Sequence, residues 1–189
     1  MKFTEDKILK DGKLLPGEVL KVDSFLNHRL DTEFLAKCGE EWYKLFKDSG
    51  VTKIVTIESS GIAIACLAAQ YFKVPVVFAK KTGASANNND FYKSNVVSFT
   101  HGQEYGVVIA KQHLSADDKI LILDDFIANG SAMKALIKIC LDSAATIVGC
   151  GAVIEKVYMN GGNDIRSMGY RVESLAKISS IGESEIKFC

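Results

Sequence analysis

Two kinds of apolar segment follow each other along the chain: short continuous apolar runs, and longer segments with helical spacing between them. Several short runs are apolar at nearly every position, which predicts strands of a sheet that is covered on both faces. These runs are residues 53–57 (KIVTI), 75–79 (PVVFA), 119–123 (KILIL) and 146–154 (TIVGCGAVI). Between them, residues 62–72 and 131–143 predict buried or amphipathic helices. Because strand, helix and strand in succession form a βαβ unit, we predict an α/β fold with a central, mostly parallel sheet flanked by helices.

A further amphipathic helix is predicted over residues 32–48. Its apolar residues fall on one helical face. They are Phe34, Leu35, Cys38, Trp42, Leu45 and Phe46. Asp31 is predicted to cap the start of this helix, and Gly50 to end it.

Residues 80–111 break these patterns. The first half is rich in Gly, Ala, Ser and Asn after Lys80 and Lys81, and predicts a flexible loop of the kind that closes over a site. The second half contains two alternating runs, residues 94–100 (SNVVSFT) and 105–111 (YGVVIAK), which predict a β-hairpin.

The length of 189 residues favours a single domain over the whole chain. We predict that its core spans about residues 50–158 and that the two chain termini form a small hood over this core. The hood would include about residues 1–30 and 159–189.

Composition narrows the possible functions. The 23 Lys and Arg balance the 23 Asp and Glu, which argues against a protein whose main task is to bind nucleic acid. No apolar run approaches the about 20 residues that cross a bilayer, and the charged amino terminus is unlike a signal peptide. The five Cys and three His show no ligand spacing, so we expect no metal held by the protein alone. A cytoplasmic domain without membrane contact is the resulting expectation.

The segment that carries most chemical information is residues 120–132, ILILDDFIANGSA. Its strand delivers Asp124 and Asp125 to the carboxyl edge of the sheet, where open α/β sheets bind ligands. The turn at residues 128–132 opens a helix, and backbone N–H groups at a helix start suit a phosphate. Carboxylates beside a phosphate need another partner, such as sugar hydroxyls or a bridging Mg²⁺.

This segment resembles the motif with which type I phosphoribosyltransferases bind 5-phosphoribosyl 1-pyrophosphate (PRPP). Further segments resemble the branch of that family that acts on xanthine, in the same order over nearly the whole chain. They are residues 19–31, 53–65, 75–81, 153–156 and 169–178. The resemblance implies a homodimeric pentosyltransferase of purine salvage that transfers 5-phosphoribose from PRPP to xanthine, with Mg²⁺ arriving on PRPP.

The resemblance also implies roles for individual residues. Asp124 and Asp125 would hold the ribose hydroxyls. The 5-phosphate would be bound by Ala128, Asn129, Gly130, Ser131 and Ala132. Pyrophosphate would be bound by Ser59, Ser60, Gly61, Lys80 and Lys81, and xanthine by Leu20, Asn27 and Lys156. Ala132 stands where members of the superfamily commonly have threonine, which leaves more of the phosphate binding to backbone N–H groups and Ser131.

Two alternatives remain open at this point. The carboxylate pair and the phosphate turn do not separate xanthine from adenine, hypoxanthine or guanine, because only the base pocket can do so. A regulator that senses PRPP and binds DNA or RNA on the same fold is the alternative from another class. Such a regulator needs a basic face or an added helix-turn-helix, and the sequence predicts neither.

Overall fold

The computed structural model of the protein describes residues 1–82, 89–97, 104–182 and 185–189. The strands in these ranges are β1 (Lys13–Leu15), β2 (Val19–Lys21), β3 (Lys53–Ile57), β4 (Val76–Thr82), β5 (Phe91–Val97), β6 (Glu104–Ala110), β7 (Lys119–Ile127), β8 (Thr146–Lys156), β9 (Val172–Ile181) and β10 (Ile186–Phe188). The α-helices are α1 (Lys2–Asp11), α2 (Thr32–Phe46), α3 (Ser60–Phe72), α4 (Ser131–Asp142) and α5 (Gly161–Ser167).

Eight of the described strands form one sheet, in the order β10-β9-β8-β7-β3-β4-β6-β5. The five central strands, β9 to β4, run parallel, and β10, β6 and β5 are antiparallel to their neighbours. The prediction of a mostly parallel α/β sheet is therefore confirmed, and so is the β5–β6 hairpin. The flexible loop predicted after Lys80 is shorter than expected, because β4 continues to Thr82 and β5 begins at Phe91. Its residues 83–88 lie outside the described ranges, and so do residues 98–103 between the two strands of the hairpin.

The chain adds strands on both sides of β3, and this reversal of strand order determines where the site lies. From β3 the chain passes through α3 to β4 on one side, and β7 lies on the other side of β3 and leads through α4 to β8. Helices α2 and α3 pack into one buried cluster, and α4 packs into a second cluster across the sheet. Ligands bind in such sheets at the carboxyl ends of the two strands where the winding changes, here β3 and β7. We call this part of the sheet edge the crevice.

Helix α2 shows how local sequence sets an element. The carboxylate of Asp31 accepts a hydrogen bond of 3.1 Å from the N–H of Phe34, which confirms the predicted cap. The α-helix ends at Phe46, earlier than predicted, and a 3₁₀ turn leads to Gly50 at φ +67°. Trp42 and Phe46 are fully buried, as the apolar face predicts.

Two predicted boundaries differ from the structure. Strand β7 continues through the carboxylates to Ile127, because β8 keeps pairing with it beyond the last residue that pairs with β3. Strands β9 (Val172–Ile181) and β10 (Ile186–Phe188) lie in the main sheet instead of in the hood, because β9 covers the outer edge of β8. The amino-terminal residues supply α1 and the β1–β2 hairpin, a separate two-stranded sheet. The sequence analysis did not identify α1, which buries only Thr4 and Ile8.

Candidate active site

Asp124 and Asp125 lie in the second half of β7, toward its carboxyl end at the crevice. Asp124 is buried, and one of its oxygens accepts a hydrogen bond of 2.9 Å from the N–H of Asp125. Asp125 accepts one of 2.8 Å from the N–H of Phe126 in the same way. Burial and the neighbouring charge of Asp125 raise the pKa of Asp124 well above its ordinary value, while the charge of Lys81 acts in the opposite direction. Two carboxyl groups are thus held at one strand end with a cation nearby.

The turn between β7 and α4 has the geometry of an anion-binding loop. The side-chain oxygen of Asn129 accepts a hydrogen bond of 3.0 Å from the N–H of Ser131, where α4 begins. Gly130 adopts φ +77°, a conformation that favours glycine, and its carbonyl accepts the N–H of Lys134 at 2.8 Å. The start of α4, with its free N–H groups and the positive end of its dipole, therefore lies directly after the carboxyl end of β7.

The loop rests on a second glycine that sequence reasoning missed. The N–H of Gly161, at the start of α5, donates to the carbonyl of Ala128 at 3.0 Å. A Cβ added at Gly161 would lie 2.3 Å from the backbone nitrogen of Gly130 and 2.4 Å from the carbonyl oxygen of Ala128. The backbone of Gly161 therefore packs directly on the backbone of the loop, and any side chain at position 161 would force the loop to move. The Gly-Gly pair at residues 161–162 was the available signal.

A buried ion pair fixes α5 against β8 beside the site. Both guanidinium NH groups of Arg166 donate to the fully buried carboxylate of Glu155, at 2.7 and 2.8 Å, and the hydroxyl of Ser174 donates at 2.6 Å. Burial alone would raise the pKa of Glu155, but the hydrogen bonds from Arg166 and Ser174 outweigh it and hold the pKa below its ordinary value. A Cβ at Gly162 would lie 1.9 Å from this carboxylate. Removing Arg166 would leave the fully buried carboxylate of Glu155 without its charged partner and would destabilise the fold.

The turn after β3 brings the start of α3 to the carboxylates. The peptide bond between Glu58 and Ser59 is cis, and α3 begins at Ser60. A Cβ added at Gly61 would lie 2.0 Å from the hydroxyl oxygen of Thr56 and 3.4 Å from a carboxylate oxygen of Asp124. The turn and the carboxylate pair therefore belong to the same crevice.

Lys80 and Lys81 lie near the end of β4, and both are exposed. The N–H of Lys81 donates to the carboxylate of Glu58 at 2.7 Å, which ties the strand to the turn. Neighbouring residues of a strand point to opposite faces, so only one of the two side chains faces the crevice. The charge of Lys81 lowers the pKa of Asp124, so the Lys81 side chain lies within electrostatic reach of the carboxylates, and we assign the crevice side to Lys81.

A cavity of about 720 Å³ lies between the β1–β2 hairpin and the carboxyl ends of β7 and β8. Its lining consists of Gly17, Glu18, Val19, Leu20, Phe126, Ala128, Asn129, Lys156, Tyr158 and Met159. The ammonium group of Lys156 donates to the carbonyl of Glu18 at 3.1 Å. Burial lowers the pKa of Lys156, opposed by the charge of Glu18. Apolar side chains, the ammonium group of Lys156 and the loop between β7 and α4 therefore border the same cavity.

The structure does not bring every candidate residue to this cavity. Leu20 and Lys156 line it, and Leu20 is almost fully buried. Asn27 is exposed at the end of a π-helical turn, Asp23–Asn27, and lies outside the set of described residues that line the cavity.

The side chains that could bind a metal ion determine which metal would fit the site and how it would be held. Among the described residues, no group of three or more His, Cys, Asp or Glu is arranged to hold a metal ion. Two adjacent carboxylates are nevertheless oxygen donors of the kind that Mg²⁺ prefers, and Mg²⁺ usually completes its shell with substrate oxygens and water. Asp124 and Asp125 therefore fit an Mg²⁺ that arrives with a phosphorylated ligand.

None of the helices in the described ranges is long and apolar enough to cross a membrane.

Known proteins resemble this chain in sequence and in fold. The family model of the phosphoribosyl transferase domain matches residues 28–174. Xanthine phosphoribosyltransferase from Lachnoclostridium phytofermentans is 46% identical over 98% of this chain and 95% of its own length. The enzyme of that name from Lactiplantibacillus plantarum is 47% identical over 100% of this chain and 96% of its own.

Solved structures show the same fold. Adenine phosphoribosyl transferase from Trypanosoma brucei, in complex with AMP, pyrophosphate and ribose-5-phosphate, has a TM-score of 0.76 at 17% identity over 92% of this chain and 79% of that one. The Saccharomyces cerevisiae adenine phosphoribosyltransferase has a TM-score of 0.72 at 18% identity over 93% and 99%. Because the family model and the sequence relatives both extend over most of the molecule, the chain belongs to the phosphoribosyltransferase family.

Proposed function

We propose that the protein transfers the 5-phosphoribosyl group of PRPP to xanthine, with formation of xanthosine 5′-monophosphate and pyrophosphate in purine salvage. The observation that carries this proposal is the cavity that extends from Lys156 to Ala128 and Asn129. A base beside Lys156 would be joined through its ribose to a phosphate on the loop. The volume of about 720 Å³ lies within the range of about 300–1,000 Å³ that is usual for small-molecule sites. The names of the full-length relatives support xanthine as the base.

PRPP would bind along the carboxyl edge of the sheet. Residues 128–132 would hold the 5-phosphate at the start of α4, where N–H groups and the helix dipole favour an anion. Asp124 and Asp125 would hold the ribose hydroxyls. Ser59, Ser60 and Gly61 would present the start of α3 to the pyrophosphate, and Lys81 would face it from the end of β4. Lys80 points to the other face of β4, so it would reach the pyrophosphate only by folding its long side chain around the strand end.

The reaction breaks the bond between the anomeric carbon and a pyrophosphate oxygen, and the electron pair leaves with pyrophosphate. Positive charge builds on the ribose until a base nitrogen forms the new bond and the base loses a proton. The protein contributes mainly by positioning the two reactants and by placing charges where they develop. The carboxyl pair lies on the side of the developing cation, and Lys81 on the side of the leaving anion. Mg²⁺, when bound with PRPP, would supply further charge for the departing pyrophosphate.

Xanthine differs from the other purines by carbonyl oxygens at both the 2- and the 6-position, so its pocket needs two donors. Lys156 is a donor that already lies in the cavity, where it binds a backbone carbonyl. Leu20 would pack on the face of the base. Asn27 would supply the second donor, which requires its side chain to turn from solvent toward the base.

A panel of four bases tests this function. With PRPP and Mg²⁺ present, we expect kcat/KM for xanthine to exceed the values for guanine, hypoxanthine and adenine by about tenfold or more, because one missing donor contact costs about 1–3 kcal/mol. Nucleotide formed from each base is measured by chromatography. A preference for adenine or hypoxanthine would overturn the choice of xanthine, and no nucleotide from any base would overturn the proposed reaction.

We further propose that the enzyme acts as a cytoplasmic homodimer. Tyr71 of α3 and Phe78 of β4 are each 36% exposed, and such large apolar side chains suit a partner subunit. Light scattering coupled to size exclusion should give a mass of about twice 20.6 kDa. A mass of one subunit at micromolar concentration would contradict the dimer without touching the proposed reaction.

A further inference from the structure

We infer that Tyr105 is a positioning residue that holds the ammonium group of Lys81 at the end of β4, and so contributes to PRPP binding through Lys81. The inference rests on the proposed function, since it assumes that Lys81 meets the pyrophosphate of PRPP. Tyr105 lies in β6 and is not among the site residues proposed above.

The strand register places the two side chains on one face. Lys81 of β4 pairs with Val107 of β6 in an antiparallel ladder. Tyr105 precedes Val107 by two residues, so its side chain leaves the sheet on the same side as those of Val107 and Lys81. Lys81 and Tyr105 are therefore diagonal neighbours, within reach of each other for long and aromatic side chains.

The side chains meet in a cation–π contact. The Nζ atom of Lys81 lies 5.3 Å from the centre of the Tyr105 ring, within the about 6 Å over which such contacts act. The ring is partly buried against the core cluster that contains Val107, which restricts its orientation. Burial and the charge of Asp124 both raise the pKa of Tyr105, so the ring lies within electrostatic reach of the carboxylates.

Lys81 is thus held at two points. Its backbone N–H is bound by Glu58, and its ammonium group lies against Tyr105. A free lysine side chain loses much conformational entropy when it binds a ligand, and a lysine that is already held loses less. We therefore expect the ring of Tyr105 to favour PRPP binding even though it contacts Lys81 and not the substrate.

The same hairpin contains a matched control. The Nζ atom of Lys111 lies 5.6 Å from the centre of the Tyr92 ring, and Tyr92 packs on the same core cluster as Tyr105. Tyr92→Leu therefore removes a similar ring and a similar cation–π contact, and that contact does not involve Lys81. Any general cost to the hairpin should appear in both variants.

The experiment measures the dissociation constant of PRPP with Mg²⁺ by calorimetry, without base. Tyr105→Leu and Tyr105→Met, two ring-free substitutions, should weaken binding by about threefold to tenfold, which is the usual range for a cation–π contact. Tyr105→Phe keeps the ring and should stay within about twofold of the parent protein, as should Tyr92→Leu. The variant with both Lys81→Met and Tyr105→Leu should bind no more weakly than Lys81→Met alone.

Three results would overturn the inference. One is equal binding by Tyr105→Leu and Tyr92→Leu. Another is a loss in Tyr105→Phe as large as in Tyr105→Leu, which would assign the effect to the hydroxyl. The third is additive losses in the double variant, which would mean that Tyr105 does not act through Lys81. Failure of the parent protein to bind PRPP would instead contradict the proposed function.

Discussion

Replacing Asp124 and Asp125 together by asparagine should lower kcat by about a thousandfold or more, the largest loss expected from any change in this chain. A thousandfold corresponds to about 4 kcal/mol of transition-state stabilisation, which is reasonable for two carboxyl groups beside a developing cation. The measurement is the initial rate of xanthosine 5′-monophosphate formation at saturating PRPP.

The double variant should still fold. An asparagine oxygen can accept the same N–H hydrogen bonds that Asp124 and Asp125 now accept from their following residues. Burial disfavours the charge of Asp124, so removal of that charge should not lower the melting temperature. A suitable control is the pair Asp117→Asn and Asp142→Asn, which removes two exposed carboxylates far from the crevice. Near-normal turnover in the Asp124 and Asp125 variant would show that the carboxylates are not the site.

The fold class followed from the sequence because its signals are local. Continuous apolar runs can be buried only in a sheet that is covered on both faces, and this pattern correctly located β3, β7 and β8. The Asp31 cap is also local, since it joins residues three apart. The family resemblance is confirmed by the relatives of the chain.

The missed features depend on contacts between distant residues. The end of β7 could not be located because it depends on how far β8 continues beside it. The packing of Gly161 on Ala128 joins residues that are 33 positions apart, and nothing near Gly161 indicates its partner. The ion pair between Arg166 and Glu155 could not be predicted for a related reason. A lone Glu at the end of an apolar run looks like an exposed residue at a strand end. Tyr105 looked like an ordinary strand residue until β4 was placed beside β6.

Base selection should respond to Lys156 at the end of β8 and to Asn27, and much less to the residues around them. Lys156→Met keeps the apolar stem of the side chain but removes its donors, and should lower kcat/KM for xanthine by about tenfold to hundredfold. Asn27→Ala should lower it in the same range if the amide turns to the base. Neither change should alter the dissociation constant of PRPP by more than about twofold, because the phosphate loop and the carboxylates are intact.

The control for Lys156 is Lys21→Met, an exposed lysine of β2 that is bound to Asp23 at 3.0 Å. This substitution removes one positive charge from the β1–β2 hairpin, which borders the cavity, but Lys21 is not among the described residues that line the cavity. Hypoxanthine lacks the 2-carbonyl, so a residue that binds this oxygen should affect xanthine and leave hypoxanthine nearly unchanged, whereas a residue that binds the 6-carbonyl should affect both. The pattern across the two bases therefore assigns each donor to its oxygen. Equal losses for both bases in both variants, with lower melting temperatures, would make Lys156 and Asn27 structural and would leave the enzyme with an unspecified purine.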